Sequence, residues 1–368
     1  MIFDMRALAQ GRRIAALGRW LGPWTPDEDV PPGIRRRETT LPSESGRRIR
    51  AWTYRGTAPL EGAMLVVPGL HYLGPADPRL DRFCRVLASA RILVLCPFLP
   101  DFGELRVAET LGTDALCAYD ALCAHPELPA RISPGVFSIS FGSLPALRVA
   151  ASRDIGALML FGGYADWTDA VRFSLTGNTL DGVEGRPYDP LNRPVVFNNM
   201  LPLLHDVNRE AVRHAIFEQV RLTWGKAEMK VPGALRPSAL RLADALPDAA
   251  SKRFFLQATG LEEGGEERVW ELLEKSNGAF DHLNPSVWAK KIEVQAVVAH
   301  GREDDVIPVE HAEKLAAMIP NAETFITGTY AHTGKSTLKD LLPRAQEEGE
   351  AMIGLLRAMA RTGCMAAT

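Results

Sequence analysis

Ser140, Asp304 and His332 are the residues of this chain whose types and surroundings could together do nucleophilic chemistry. A serine hydroxyl is a weak nucleophile until a neighbouring base takes its proton. An imidazole base in turn needs an acid that fixes its tautomer and stabilises its cation. Ser140 lies in Phe137-Ser138-Ile139-Ser140-Phe141-Gly142-Ser143, with small residues two positions before it (Ser138) and two after (Gly142). A strand that turns sharply into a helix strains its central residue, and the flanking positions must then be small. The following helix points its N-terminus at the same spot, where negative charge is favoured. Short Ser/Gly strings are common in ordinary turns, so the motif gains its weight from its strand–turn–helix context and from partners elsewhere.

Those partners lie near the end of the chain. After a predicted strand at 294–299 comes His300-Gly301-Arg302-Glu303-Asp304-Asp305-Val306-Ile307-Pro308. The glycine turn presents Asp304 at the strand's C-terminal edge, and Pro308 starts the next helix. A predicted strand at 323–326 leads into Thr327-Gly328-Thr329-Tyr330-Ala331-His332. Nucleophile, acid and histidine thus follow in that order, each at the end of its own strand. Asp305 and Asp166 compete for the acid's role, and Ser138 is a weaker nucleophile because it lies on the strand side without a glycine two residues on. His300 reads as a structural histidine at a strand end, and Arg302 and Glu303 as solvated. His71 could touch substrate or simply be hydrogen-bonded. Thr333-Gly334-Lys335-Ser336-Thr337 resembles the end of a phosphate loop, but Thr329 stands where that loop needs a glycine, and the match is read as chance. His205, His214 and His282 lack metal-ligand spacing. No metal or organic cofactor is expected.

The elements that must position these residues alternate. Segments 35–41 and 47–54 read as a hairpin. Buried strands are predicted at 63–67, 92–96, 135–137 and 157–161, with helices at 80–90, 109–124 and 144–152. Strand–helix alternation of this kind makes a mostly parallel α/β sheet with right-handed crossovers and helices on both faces. From 164 to 290 only helical stretches are found (201–224, 239–246, 266–275). Alternation then resumes with the strand 294–299, the helix 309–318, the strand 323–326 and a closing helix at 338–361. The expected organisation is an N-terminal helical segment (1–34), a first core part (35–163), a helical insertion after the sixth strand (164–290) and a second core part (291–368). The insertion leaves the sheet at its C-terminal edge, where it would cap the pocket. Its apolar residues (Trp167, Phe173, Leu201, Leu203, Leu204, Phe217, Trp224) mostly pack its own helices, and a medium-sized apolar substrate group is the mild expectation. No internal repeat is present.

At 368 residues, 46% hydrophobic and 24% charged, with a net charge of −3, the chain has the composition of an ordinary globular protein. Acids and bases are mixed along it, which points away from nucleic acid. Met1 to Trp24 mixes apolar residues with Arg6, Arg12, Arg13 and Arg19. It lacks the uninterrupted apolar segment of a signal peptide, and no window suits a membrane span. Docking on its own domain is preferred there over a membrane surface. The odd set of five cysteines has no Cys-x-x-Cys spacing. Cys84, Cys96, Cys117 and Cys123 read as small buried hydrophobes of a reducing, cytoplasmic compartment.

Together these motifs resemble the α/β-hydrolase superfamily over 35–361, apart from the insertion. The elbow Ser138-Ile139-Ser140-Phe141-Gly142 departs from the family pattern in having serine at its first small position. Val67-Pro68-Gly69-Leu70-His71 is similar to the family's loop after the third strand, with proline in place of the usual histidine. The resemblance implies Ser140 as nucleophile, Asp304 as acid and His332 as base. It implies an oxyanion hole from the backbone N–H groups of Leu70 and Phe141. Asp166 competes because some members place the acid after the sixth strand. The implied activity is carboxylic-ester hydrolysis of a small-molecule substrate. Acyl transfer or carbon–carbon bond hydrolysis on the same triad, and a non-catalytic binding role, are the alternatives. The sequence leaves the oligomeric state open.

Overall fold

A computed structural model describes residues 5–22, 24–43, 46–330 and 342–361. His332, the Thr333–Thr337 segment and Cys364 lie outside the described residues.

Among the described residues, eight strands form one sheet: β1 (Arg35–Pro42), β2 (Arg48–Arg55), β3 (Gly62–Val67), β4 (Ile92–Pro97), β5 (Gly135–Ile139), β6 (Leu158–Phe161), β7 (Ala296–Gly301) and β8 (Ala322–Thr327). Their order is β1-β2-β4-β3-β5-β6-β7-β8. The hairpin β1–β2 is antiparallel, with Arg35 opposite Arg55 and Pro42 opposite Arg48, and β2 is antiparallel to β4. The other pairs are parallel, with Leu65 beside Val136, Val136 beside Leu158 and Leu158 beside Ala296. Every residue of β3 and β4 is buried, as helices on both faces require; this is why these strands read as unbroken apolar runs.

Alternate residues of each strand serve different layers. Leu65, Val67 and Val136 join a buried cluster with Ala115, Leu122 and Leu147, from the helices Thr110–Cys123 and Ser143–Ser152. Met64, Val66 and Phe137 face the other way, toward Leu17, Leu87 and Leu355. Those belong to the N-terminal helix Met5–Leu21, the helix Pro78–Ser89 and the closing helix Ala345–Arg361. The N-terminal helix therefore docks on the core. A Cβ at Gly18 would sit 3.3 Å from Leu356 Cδ1, and Arg12 pairs with Glu61 at 2.9 Å.

Between β6 and β7 lie the helices Trp167–Thr176, Arg193–Met200, Arg209–Thr223, Arg236–Asp244, Ala249–Ala258, Gly265–Lys275 and Ser286–Ala289, with no strand among the described residues. Three are capped by side chains that take an orphan helical N–H: Asp166 from Asp169, Asn208 from Ala211 and Asp248 from Ser251. The stretch 201–224 is not the single helix its apolar spacing suggests. A 3-10 turn at Leu201–Leu203, containing Pro202, ends the preceding helix, and Asn208 starts a new one. The closing helix likewise begins at Ala345, after a 3-10 turn that holds Pro343.

The buried cluster on the elbow-helix face continues from the sheet into the insertion, through Trp167, Val195, Phe197 and Leu201. Tyr164 donates to the Leu283 carbonyl at 2.6 Å. Asn198 and Asn199 both donate to the carbonyl of Leu105, a residue held at φ 59°. Cys84 and Cys96 are buried and Cys117 is half-buried, but Cys123 is exposed, at the last turn of its helix and facing away from the sheet. Among the described residues, no helix is long and apolar enough to cross a membrane.

Asp169 ties the insertion to the helix Glu310–Met318. Its carboxylate lies 3.0 Å from Lys314 and 3.2 Å from His311, and it accepts the Leu180 N–H. Burial pulls its pKa up, but the His311, Leu180 and Lys314 contacts outweigh that and hold it well below the usual carboxylate range. A depressed carboxyl stabilises the fold above its unfolded value of about 3.9, and that stability is lost as pH falls through the lower folded value. Asp169→Asn should lower stability at neutral pH by about 1–3 kcal/mol. In urea titrations its deficit against wild type should shrink as pH is taken below about 4.

Candidate active site

Ser140 follows the last residue of β5 and opens a short 3-10 turn, Ser140–Gly142, before the helix Ser143–Ser152. Its φ is 54°, in the left-handed region that non-glycine residues rarely enter. The strand's hydrogen bonds to β3 and β6 on either side hold it there. The loop after β3 presses on the elbow. A Cβ at Gly142 would stand 2.4 Å from the Pro68 carbonyl oxygen, and one at Gly69 would stand 3.3 Å from Ser140 Cβ. The glycine two positions after the serine is thus required by the approach of the Pro68 backbone. Ser138 is fully buried, and its hydroxyl has no partner among the described residues.

The acid turn follows β7. Asp304 is buried, and its Oδ1 accepts the N–H groups of Val306 and Ile307, both at 2.9 Å. Its Oδ2 lies 3.3 Å from His300 Nε2, which also reaches the Ile307 carbonyl at 2.9 Å. His300 is therefore a buried brace of the turn. Asp305, next in the chain, is turned to the insertion. Its carboxylate meets Lys230 at 2.8 Å, and its carbonyl accepts the Asp189 N–H at 2.8 Å. Asp166 is occupied as a helix cap. Arg302 is not simply solvated: it reaches Glu348 at 3.3 Å. Glu348 also accepts from Thr327 Oγ1 and the Gly328 N–H, so one side chain of the closing helix holds the starts of both late loops.

These elements meet at a cavity of about 370 Å3. Ser140, Phe141, Gly69, Leu70 and His71 line it from the sheet edge, and Trp167, Val171, Val195, Asn199 and Trp224 from the insertion. Of the apolar insertion residues singled out in the sequence, Trp167 and Trp224 face this space, whereas Phe173, Leu201 and Leu204 are packed inside. Phe141 packs against Tyr164 in a tilted arrangement and against Trp167 edge-on, with ring centres at 5.0 and 6.0 Å. His71 lies against Tyr72 and Trp224, and its Nδ1 accepts the Leu73 N–H at 3.2 Å. Burial lowers its pKa from the ordinary value, which leaves a neutral ring on the cavity wall. Tyr330, two positions before His332, lines the same cavity and hydrogen-bonds the Leu21 carbonyl. Asn199 and Lys230 carried no signal in the sequence, because their importance comes from contacts with distant segments. Among the described residues, no group of three or more His, Cys, Asp or Glu is placed to hold a metal ion.

No family model and no curated protein matches the sequence. Solved structures do. The uncomplexed acylaminoacyl peptidase of Pyrococcus horikoshii superposes with a TM-score of 0.51 at 12% identity, over 92% of this chain and 43% of that one. The chain has the α/β-hydrolase fold. A puromycin-hydrolysing peptidase of Mycobacterium tuberculosis matches at a TM-score of 0.48 and 16% identity, over 90% of this chain and 40% of that one. An esterase of Pyrococcus furiosus gives 0.47 and 13%, over 89% and 92%. The chain thus spans less than half the length of the two peptidases. In this α/β-hydrolase fold, Ser140 ends a central strand, and the acid turn ends a strand two places along the same edge.

Gly142→Ala should destabilise the fold by about 1–3 kcal/mol, since the Pro68 carbonyl cannot yield as a side chain would. Gly103→Ala, where a Cβ meets nothing within 4 Å and φ is not positive, should be neutral or slightly stabilising. Urea unfolding of both variants checks this; equal effects would mean that the elbow is not tightly packed.

Proposed function

We propose that the protein is a serine hydrolase that cleaves a carboxylic ester through a Ser140–His332–Asp304 triad and an acyl-enzyme. The observation that carries this reading is Ser140 at φ 54° on a strand-to-helix turn, opening on a cavity. A left-handed serine is strained by about 1–3 kcal/mol, and such strain persists where function needs the geometry. In this reading His332 takes the Ser140 proton as Oγ attacks the acyl carbonyl. The oxyanion is held by the N–H groups of Leu70 and Phe141, the latter in the first turn before the helix. Each such donor is typically worth about 3–4 kcal/mol. His332 then protonates the leaving alcohol, and water repeats the cycle to free the acid. Asp304 orients the imidazole and stabilises its cation. The double N–H clamp on Oδ1 supports this choice, because it fixes the orientation of the buried carboxylate. Residues 164–290 act as a lid, a role supported by the walls that Trp167, Val195 and Trp224 give the cavity. Acyl transfer would use the same machinery, and no observed feature favours it over water as acceptor.

Ser140→Ala should leave a folded protein with p-nitrophenyl ester turnover reduced by at least about 1,000-fold. Labelling by a fluorophosphonate should vanish in Ser140→Ala and persist in Ser138→Ala, whose hydroxyl is fully buried on the strand side. Retention of the label in Ser140→Ala would remove the serine from its role.

Asp304→Asn should lower kcat on the order of 10,000-fold, since an amide favours the wrong imidazole tautomer. Asp305→Asn and Asp166→Asn should stay within about tenfold of wild type, because those carboxylates serve Lys230 and a helix end. A collapse in either of these with Asp304→Asn active would move the acid.

A further inference from the structure

The cavity at Ser140 does not end beneath the insertion. It continues past Ile139 and Phe161, around the edge of the sheet, to the face opposite the elbow helix. There its lining includes Phe83, Phe137, Met159, Met352, Leu355 and Met359. Phe137 and Met159 are strand side chains of β5 and β6, Phe83 comes from the helix Pro78–Ser89, and the rest come from the closing helix. All six are apolar, and three are methionines, which are unbranched and adapt to a guest's shape. The charged side chains of the cavity are engaged elsewhere. Arg82 donates to the carbonyls of Trp20 and Asp29, Asp77 pairs with Arg79, and Asp189 pairs with Lys230. The exposed Arg79 and Asp27 belong to its rim.

An arm of this kind has no place for a charged head group. It bends around Ile139, the residue directly before the serine, so a guest attached at Ser140 must turn to enter it. A flexible chain does this and a rigid ring system does not. In an acyl-enzyme the acyl group stays bonded to Ser140 Oγ, and its tail is the part of the substrate held next to Ile139 longest.

We infer that the deep arm binds the unbranched aliphatic tail of the acyl group, so that the preferred substrates are medium- to long-chain acyl esters. This rests on the proposed hydrolase reading and adds the substrate class. Burying a methylene favours binding on the order of threefold to fourfold. The arm therefore predicts a steep rise with acyl length until it is filled.

The test measures kcat/KM of the wild-type chain on p-nitrophenyl acetate, butyrate, octanoate and dodecanoate, and on an alkyl acetate series in which the alcohol is lengthened instead. In parallel, binding of sodium decanoate to the Ser140→Ala protein is measured by calorimetry. Preference should rise roughly threefold per acyl methylene from acetate to octanoate, and Ser140→Ala should bind decanoate. Met352→Trp, which fills the arm, should lower the octanoate-to-acetate ratio by about tenfold or more and weaken decanoate binding to the same degree. Met159→Ala, which widens it, should shift the optimum to longer chains and is the readout if the tryptophan variant does not fold. Short and long acyl esters cleaved equally, with no decanoate bound, would overturn the arm and leave the hydrolase reading intact. A length dependence confined to the alkyl acetates would overturn the acyl assignment. Decanoate binding that is lost in Met352→Trp, with no ester of any length cleaved, would support the arm and overturn the hydrolase reading.

Discussion

The close approach of the β3 loop to the elbow is the constraint on which the rest of the site depends. With 2.4 Å between the Pro68 carbonyl oxygen and the position a Gly142 Cβ would take, the two backbones leave no room for a side chain. The same approach brings Gly69 against Ser140. A serine at positive φ is unfavourable by itself, by about 1–3 kcal/mol. It is held because β5 is paired on both sides by parallel strands and four of its five residues are buried. To relax the serine, β5 would have to slip in register, and a one-residue slip would move Phe137 and Val136 to the wrong faces. Core packing on both faces therefore fixes the geometry of one oxygen on the cavity wall.

The parallel sheet order places the loops after β3, β5, β6, β7 and β8 at one edge, and Ser140 and Asp304 lie there. Residues of the insertion line the cavity at that edge, and the insertion does not fold as a separate body. Its buried cluster is continuous with that of the sheet, and amides such as Asn198 and Asn199 bind backbone carbonyls of the core. The walls of the cavity and the walls of the protein core are thus partly the same side chains. Trp167 packs on Phe141 on one side and faces the cavity as well.

The fold was legible in the sequence because its signals are local. Buried strands such as 92–96 stand out as short apolar runs ended by proline, and the elbow and the acid turn carry their glycines where backbones must bend or touch. The insertion was less legible. Its helices Trp167–Thr176 and Ala249–Ala258 are capped by Asp166 and Asp248, but they are only ten residues each and do not stand out from the apolar residues around them. The break near Pro202 was missed for the same reason, since apolar residues run on through it. The cavity's far arm could not be read at all. Met159, Met352 and Phe83 are ordinary core residues by type, and only the gap between three helices and the sheet makes them a wall.

Two adjacent carboxylates show how the insertion and the sheet are joined at the site. Asp304 turns inward, where Val306 and Ile307 clamp it, and Asp305 turns outward to Lys230, which also meets Asp189 at 2.9 Å. Any shift of the Lys230 segment therefore pulls on the residue next to the proposed acid. The ion pairs themselves are partly exposed, and pairs of that kind contribute about 0–1 kcal/mol each. Their effect lies in geometry more than in stability. The backbone bond from Asp189 N–H to the Asp305 carbonyl runs in parallel with them, and it is not weakened by salt as an exposed ion pair is. These two kinds of contact, one sensitive to salt and one not, together hold the segment beside Asp305 in register with the turn that presents Asp304.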